Sequence, residues 1–358
     1  VQASAFNLCN RVLRKRYDDL FEAAPNAFIQ QSSDWAEVIG ALGPDEGIFL
    51  LCHDAGRDVA GLPLYLYEHP LGNLLTSVPQ PGPMGGVFFK DGLSPKHTDA
   101  VYRTLIGAAL EIARRRRCIA MTLISNPLTD DLVFYKRHLS PTYVLENYSQ
   151  VILLDKKESR SHGHRNNVNK VRKAGYRMRF CETAQELESW FSLHEERHRA
   201  LGIEPLNPQI FKNFFEVLQP RQKARLMLIY AGNRIVSGAW YIYHRNIMDV
   251  FMLSADAGSC KTSPNFMNTD LSIAWAKDRG VKIYNWQSSP GRDSGVYSYK
   301  KQWGSLEKAY YFVTKLLCKP ERIARLGLQT IKDAYAQHYL VPYAVFDQGF
   351  HNKYFKKG

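Results

Sequence analysis

The sequence predicts an α+β protein made of one unit used twice, and three observations carry that prediction. Residues 49–67 (FLLCHDAGRDVAGLPLYLY) and 226–244 (LMLIYAGNRIVSGAWYIYH) read as the same hairpin: an apolar strand, a tight turn, and a second strand ending in aromatics. Aligning Gly61 with Gly238 pairs Val59 with Val236 and Ala60 with Ser237, and the copies differ by one residue in the turn. The segments after the two hairpins are also parallel, each with further strands, one long helix and one more strand.

Gly56, Gly232 and Asn233 suit the positive φ that a tight hairpin turn demands. After the first hairpin come the short strands LLTSVPQ and GGVFF, a helix over 96–117 and the strand CIAMTLIS. After the second come the strand IMDVFMLSA, a helix over 264–279 and the strand VKIYNWQ. Both helices carry apolar residues at i, i+3, i+4 spacing, and Ser263 before Pro264 reads as a cap and a first-turn proline. Each half is therefore an antiparallel meander crossed by helices. The first unit is expected over 1–150 and the second over 151–318, opened by QVILLD. Residues 319–358 form a helix and a basic aromatic tail.

With 358 residues, 45% hydrophobic and 23% charged, the chain has the composition of a globular protein large enough for two domains. No apolar run approaches the roughly 20 residues that span a bilayer, and VQASAFNLCNRVLRKRY lacks the order of a signal peptide. A soluble, cytoplasmic protein is expected. The six cysteines lie far apart without a CxxC pair, so neither a zinc ribbon nor a disulfide scaffold is suggested, and mostly buried thiols are expected. A net charge of +13, from 47 Lys and Arg against 34 Asp and Glu, attracts polyanions: RNA, nucleotides, coenzyme A or anionic lipid. The charge is concentrated in Arg114–Arg117 and in HRNNVNKVRKAGYRMR (164–179), which contains no acidic residue.

Motifs narrow the chemistry. HEERH (194–198) satisfies HExxH, yet no third zinc ligand stands at a familiar spacing beyond it. An amphipathic helix with Trp190, Phe191, Leu193 and Leu201 inward accounts for it, and no metal is expected. Neither GxxxxGK[ST] nor GxGxxG occurs, so nucleotide hydrolysis and dinucleotide chemistry lose their usual warrant. PGPMGG (81–86) leads into a strand and reads as a turn. The loop before the second long helix offers a helix N-terminus to an anion, with Lys261 adding charge. Finally, GVYSYKKQWG (295–304) alternates as a strand would, with Tyr297, Tyr299, Lys301 and Trp303 on one face and Ser298, Lys300 and Gln302 on the other.

These residues together resemble the FemABX-like transferases, whose members contain tandem GNAT-like units. The similarity runs over about 28–315, through FIQQSSDW, GRDVAGLPLYLY, RNNVNKVRKAG, LHEERHRALGIEPLNPQIF, NRIVSGAWYIYHR, SPNFMNTDLSIAWAKDRGVKIYNW and, most specifically, SSPGRDSGVYSYKKQWG. The resemblance implies two GNAT-like units, each a mostly antiparallel sheet flanked by helices. It also implies transfer of an aminoacyl or acyl group from an activated donor, often aminoacyl-tRNA, to an amine acceptor such as a cell-wall precursor, without a cofactor.

The lysine of the family's aromatic-Lys element corresponds to Lys300, with Tyr299 beside it. Ester aminolysis develops an oxyanion that a fixed cation or phenol stabilises, and an activated ester needs no covalent nucleophile. The proton of the attacking amine then goes to Asp293, to Tyr297 or to the donor's own ribose hydroxyl. Arg165, Lys170, Arg172, Lys173, Lys261, Asn265, Arg292 and Trp303 are the implied donor contacts. Trp35, Trp240, Tyr243 and Trp286 are the implied acceptor contacts, in a cleft between the units. The chain departs from the family in having NWQSS (285–289) where FGRS is frequent, and it is too short for the coiled-coil arm of some members. It also lacks the RxxGxG loop of acetyl-CoA enzymes. An acyl-CoA or carrier-protein thioester is the alternative donor, and a non-catalytic RNA- or envelope-binding module the alternative class.

Overall fold

Both copies of the hairpin are present where the alignment places them. The computed structural model describes residues 1–40, 42–156, 162–173, 175–259, 263–335 and 343–346. The chain divides into two units, one of residues 1–147 with 309–358 and one of residues 148–308.

The first unit contains β1 (Gln2–Phe6), α1 (Arg11–Ala23), α2 (Ser33–Ile39), β2 (Glu46–Asp54), β3 (Arg57–Tyr67), β4 (Asn73–Thr76), β5 (Phe88–Phe89), α3 (Pro95–Arg115), β6 (Cys118–Ile124) and α4 (Leu132–Leu139). Strands β1 to β4 pair antiparallel in order, β5 pairs with β3, and β6 joins β4 in parallel. Helix α3 makes that parallel crossover. It starts at Ser94, whose side chain accepts from the His97 N–H, with Pro95 in the first turn. Arg114 and Arg115 sit in its last turn, where cations favour the helix dipole, so the first arginine run has a structural explanation. The inward face of α3, with Val101, Leu105, Ile106 and Ala109, packs on Leu62, Leu64 and Met121.

The second unit repeats this order. It contains β7 (Tyr143–Leu153), α5 (His162–Arg172), β8 (Arg177–Phe180), α6 (Ala184–Ala200), α7 (Pro208–Asn213), β9 (Ala224–Ala231), β10 (Arg234–His244), β11 (Ile247–Ala255), α8 (Pro264–Asp278), β12 (Ile283–Asn285) and α9 (Gly295–Gln302). Strands β8 to β11 pair antiparallel in order, and β12 joins β11 in parallel after α8. Antiparallel pairing of β7 with β12 closes this sheet. The chain then returns through β13 (Leu306–Leu316), which pairs antiparallel with β6 of the first unit, and continues into α10 (Pro320–Leu326) and α11 (Leu328–Ala334). Residues 309–316, placed by sequence in the second unit, thus close the sheet of the first.

Gly61 and Gly238 hold equivalent positions for the same steric reason. A Cβ on Gly61 would lie 2.4 Å from Phe88 Cζ, and one on Gly238 would lie 2.3 Å from Trp190 Cδ1. In both copies the missing side chain lets an aromatic ring rest on the second strand of the hairpin. The turns use Ala55 and Gly56 (φ 45° and 78°) and Gly232 (φ 60°), while Asn233 is not left-handed.

Three further expectations change. Residues 295–302 are a helix, because Ser294 accepts a hydrogen bond from the Tyr297 N–H and starts one. Ser263 adopts φ 44° and makes no side-chain cap on α8. Leu201 lies beyond the end of α6 and is half exposed, whereas Trp190 and His194 supply the buried face.

Candidate functional site

The helical conformation of 295–302 redistributes its side chains at a period of 3.6. Tyr299 and Trp303, four apart, turn toward α8, while Tyr297 and Lys301, also four apart, share another face with the Lys301 ammonium 5.8 Å from the Tyr297 ring. Lys300 lies between these faces, buried.

The Lys300 ammonium donates to the Ser288 carbonyl at 2.7 Å and to the Gln287 carbonyl at 3.4 Å. Those carbonyls come from the turn after β12, where Gln287 takes φ 58°, a conformation rare for a residue with a side chain. The Gln287 N–H is held by Asn285 Oδ1 at 3.1 Å, and Asn285 Nδ2 donates to the buried Asp249 at 2.6 Å. Burial pushes the Lys300 pKa down to about 7. Lys300 is therefore a buried lysine held by two neutral backbone acceptors.

Tyr299 stands beside it in an aromatic box. Its ring is 5.2 Å from Phe266, 5.9 Å from Trp286 and 6.2 Å from Trp303, centroid to centroid. Its hydroxyl donates to the Asn265 carbonyl at 3.0 Å and lies 2.9 Å from Thr269 Oγ1. Burial raises its pKa far above the usual phenol range, so it acts as a neutral hydrogen-bonding group. Asn265 Oδ1 in turn accepts from Ser237 at 2.8 Å. One residue beyond Thr269, Asp270 receives Arg172 of α5 at 2.5 Å, while Val168 and Val171 anchor α5 in the core of this unit. Lys170 and Lys173 of that segment are exposed. The side chain of Arg165 and all of Lys261 lie outside the described residues.

Behind Lys300, a second network fixes the start of α9. Tyr297 donates to Glu307 at 2.6 Å, Arg292 grips the same carboxylate through Nε and Nη2, and the Arg292 guanidinium sits 4.5 Å over the Tyr148 ring. Gln150 donates to the Tyr297 carbonyl and to Ser305, and accepts from Ser289 at 2.7 Å. Tyr297 and Arg292 are thus engaged in positioning α9, and Asp293 is exposed in the loop before it. Glu307, Tyr148, Gln150 and Thr269 were not anticipated from sequence. Among these, Glu307 was the most accessible to inference, being the carboxylate nearest Arg292 along the next strand.

The aromatics expected to contact an acceptor are core residues. Trp35 in the first unit and Trp240 in the second have no exposed surface, and Trp240 packs on Phe214 at 5.5 Å. Tyr243 lies under the Arg279 guanidinium at 4.9 Å, and Trp286 bridges Tyr284 and Tyr299. Of the four, Trp286 is the one whose ring meets Tyr299. His194 of the HEERH segment stacks on Trp190 and pairs with Ser254 at 3.0 Å, and burial lowers its pKa to about 4. It is a neutral core histidine.

Known proteins share this architecture. The family profile described as an acetyltransferase (GNAT) domain matches residues 158–301, ending within α9. No curated protein matches the chain in sequence. A crystal structure of FemX superposes with a TM-score of 0.69 at 14% identity, covering 87% of this chain and 97% of FemX. L-PGS from Bacillus licheniformis gives 0.52 at 13% identity over 76% of this chain and 86% of its own. A tandem GNAT protein from the clavulanic acid biosynthesis pathway gives 0.52 at 11% identity over 89% and 99%. The chain therefore has the fold of FemX and of the tandem GNAT protein, two GNAT-like units in succession, and its second unit matches the GNAT domain profile.

Proposed function

We propose that the protein is an amide-forming transferase that moves an aminoacyl group from aminoacyl-tRNA to an amine acceptor. The observation that carries this reading is the Lys300 ammonium, buried on two backbone carbonyls beside the Tyr299 box. A lysine so placed responds strongly to an arriving anion. A donor phosphate or a developing oxyanion within reach restores its charge and is stabilised by it in a site of low dielectric. No nucleophile is required of the protein, since the ester is already activated and holding two reactants together supplies much of the acceleration. The exposed basic residues Lys170 and Lys173, on the segment that Arg172 ties to Asp270, favour a polyanionic donor. The thioester reading draws on the acetyltransferase description of the matching profile.

One assay separates the two readings: labelled aminoacyl-tRNA and labelled acyl-CoA are each presented with a panel of amines. Aminoacyl-tRNA should be consumed to form an amide, and Lys300→Ala should lower turnover by about 100-fold or more. Turnover of the thioester alone would replace the RNA donor with a thioester donor. Turnover by Lys300→Ala equal to that of the wild type would remove Lys300 from the chemistry.

A further inference from the structure

Strand β8 is the outer strand of the second unit's sheet, and beside it lies an open groove of about 950 Å³. It is bounded by β8, the first turns of α6 and the turn between β9 and β10. Its volume is in the range of small-molecule sites, roughly 300–1,000 Å³. It shares no residue with the Lys300 environment.

The charge of its lining is unbalanced. Three guanidinium groups, Arg177, Arg179 and Arg234, face one carboxylate, Glu186. That carboxylate is already committed, because it caps α6 by accepting the backbone N–H groups of Glu182 and Thr183, accepts the Tyr230 hydroxyl at 2.9 Å, and pairs with Arg179 at 3.4 Å. Arg177 instead donates to the Gly232 carbonyl at 2.8 Å, which orients the guanidinium without neutralising it. Arg234 pairs with Asp256, which does not line the groove. Arg177 and Arg179 are two apart on a strand and project from one face, while Met178 and Phe180 pack against the unit's core.

The groove joins those cations to a flat surface. The Arg179 guanidinium is 5.8 Å from the centre of the Tyr230 ring, with Ile235 also lining the groove. Guanidinium forks next to an aromatic face are the pairing that holds a phosphate and stacks a base. Lys173, four residues before Arg177 in sequence, is likewise exposed.

We infer that this groove binds a nucleotide by its phosphate, with the base against Tyr230, and that the nucleotide is part of the donor RNA. Its assignment to RNA rests on the donor proposed above. Binding of a nucleotide does not.

The test uses the full chain and two probes, deacylated tRNA and AMP, titrated over a salt series. Arg177→Ala should weaken tRNA binding about tenfold and reduce the salt slope by about one, and Arg234→Ala should act in the same direction. Arg103→Ala, an exposed arginine of α3, should stay within about twofold of the wild type. AMP binding that depends on Arg177, without tRNA binding, would keep the nucleotide site and remove the RNA from it. Turnover of aminoacyl-tRNA by the wild type, measured alongside, judges the donor reading separately. If Arg177→Ala and Arg234→Ala bind both probes as the wild type does, or the wild type binds neither, the inference is overturned.

Discussion

At the scale of single residues, Lys300 carries the largest consequence of burial. Its folded pKa is pushed down to about 7, whereas an unfolded chain holds an ordinary lysine. The unfolded state therefore takes up a proton as pH falls from about 10 toward 7, while the folded state does so only near 7, and stability is lost across that window. Below it both states are protonated and the dependence ends. Lys300→Met, which cannot take up that proton, should gain stability relative to the wild type as pH is lowered from 10 to 7 and show no further change below. Urea denaturation at pH 9.5 and 6.5 measures the difference, and a gain that shrinks toward low pH would refute a depressed Lys300. The segment stood out in the sequence, because few stretches set paired lysines among aromatics between glycines, and the resemblance, not the pattern, chose Lys300 over Lys301. Its partners were not, because the carbonyls of Gln287 and Ser288 are backbone atoms that any residue supplies.

At the scale of elements, the sequence misled where two periods overlapped. Tyr297, Tyr299, Lys301 and Trp303 alternate as a strand would, yet Tyr297 with Lys301 and Tyr299 with Trp303 are also helical i, i+4 pairs. The deciding signal was local: Ser294 is a cap residue just before the run, and Gly304 at φ 78° accommodates the chain just after it. The duplicated hairpins were legible for the opposite reason, since their pattern repeats over 19 residues. The meaning of the aligned glycines was hidden, because a contact with Trp190 or Phe88 is long-range and leaves no mark nearby. Those contacts predict that Gly238→Ala costs about 1–3 kcal/mol by overpacking, as the new methyl meets an indole fixed among Phe211 and Trp240. Gly61→Ala should cost a similar amount against Phe88 and Tyr17. Thermal melts of the two variants test this, and unchanged melting temperatures would show that the rings yield without cost.

At the scale of the whole molecule, the two units take their last strands from different places along the chain. Within each unit the strands pair as an antiparallel meander, then a parallel strand reached by a helical crossover, then one more antiparallel strand. The second unit takes that final strand, β7, from before its meander, and the first unit takes β13 from after the second unit has finished. A boundary drawn at residue 150 from composition and patterning cannot see this, because strand order is set by pairing between segments distant in sequence. The consequence is asymmetric. Residues 148–308 contain the paired part of β7 with its partner β12, whereas residues 1–147 hold β4 on one side of β6 but lack β13 on the other. A chain ending at 308 therefore leaves an unpaired edge along β6 and removes Phe312, Val313 and Ile323 from the core of the first unit. Limited proteolysis of that truncated chain should cut within 1–147 far faster than in the full chain, while 148–308 stays protected. Equal protection of both regions would mean that β13 is dispensable to the first sheet.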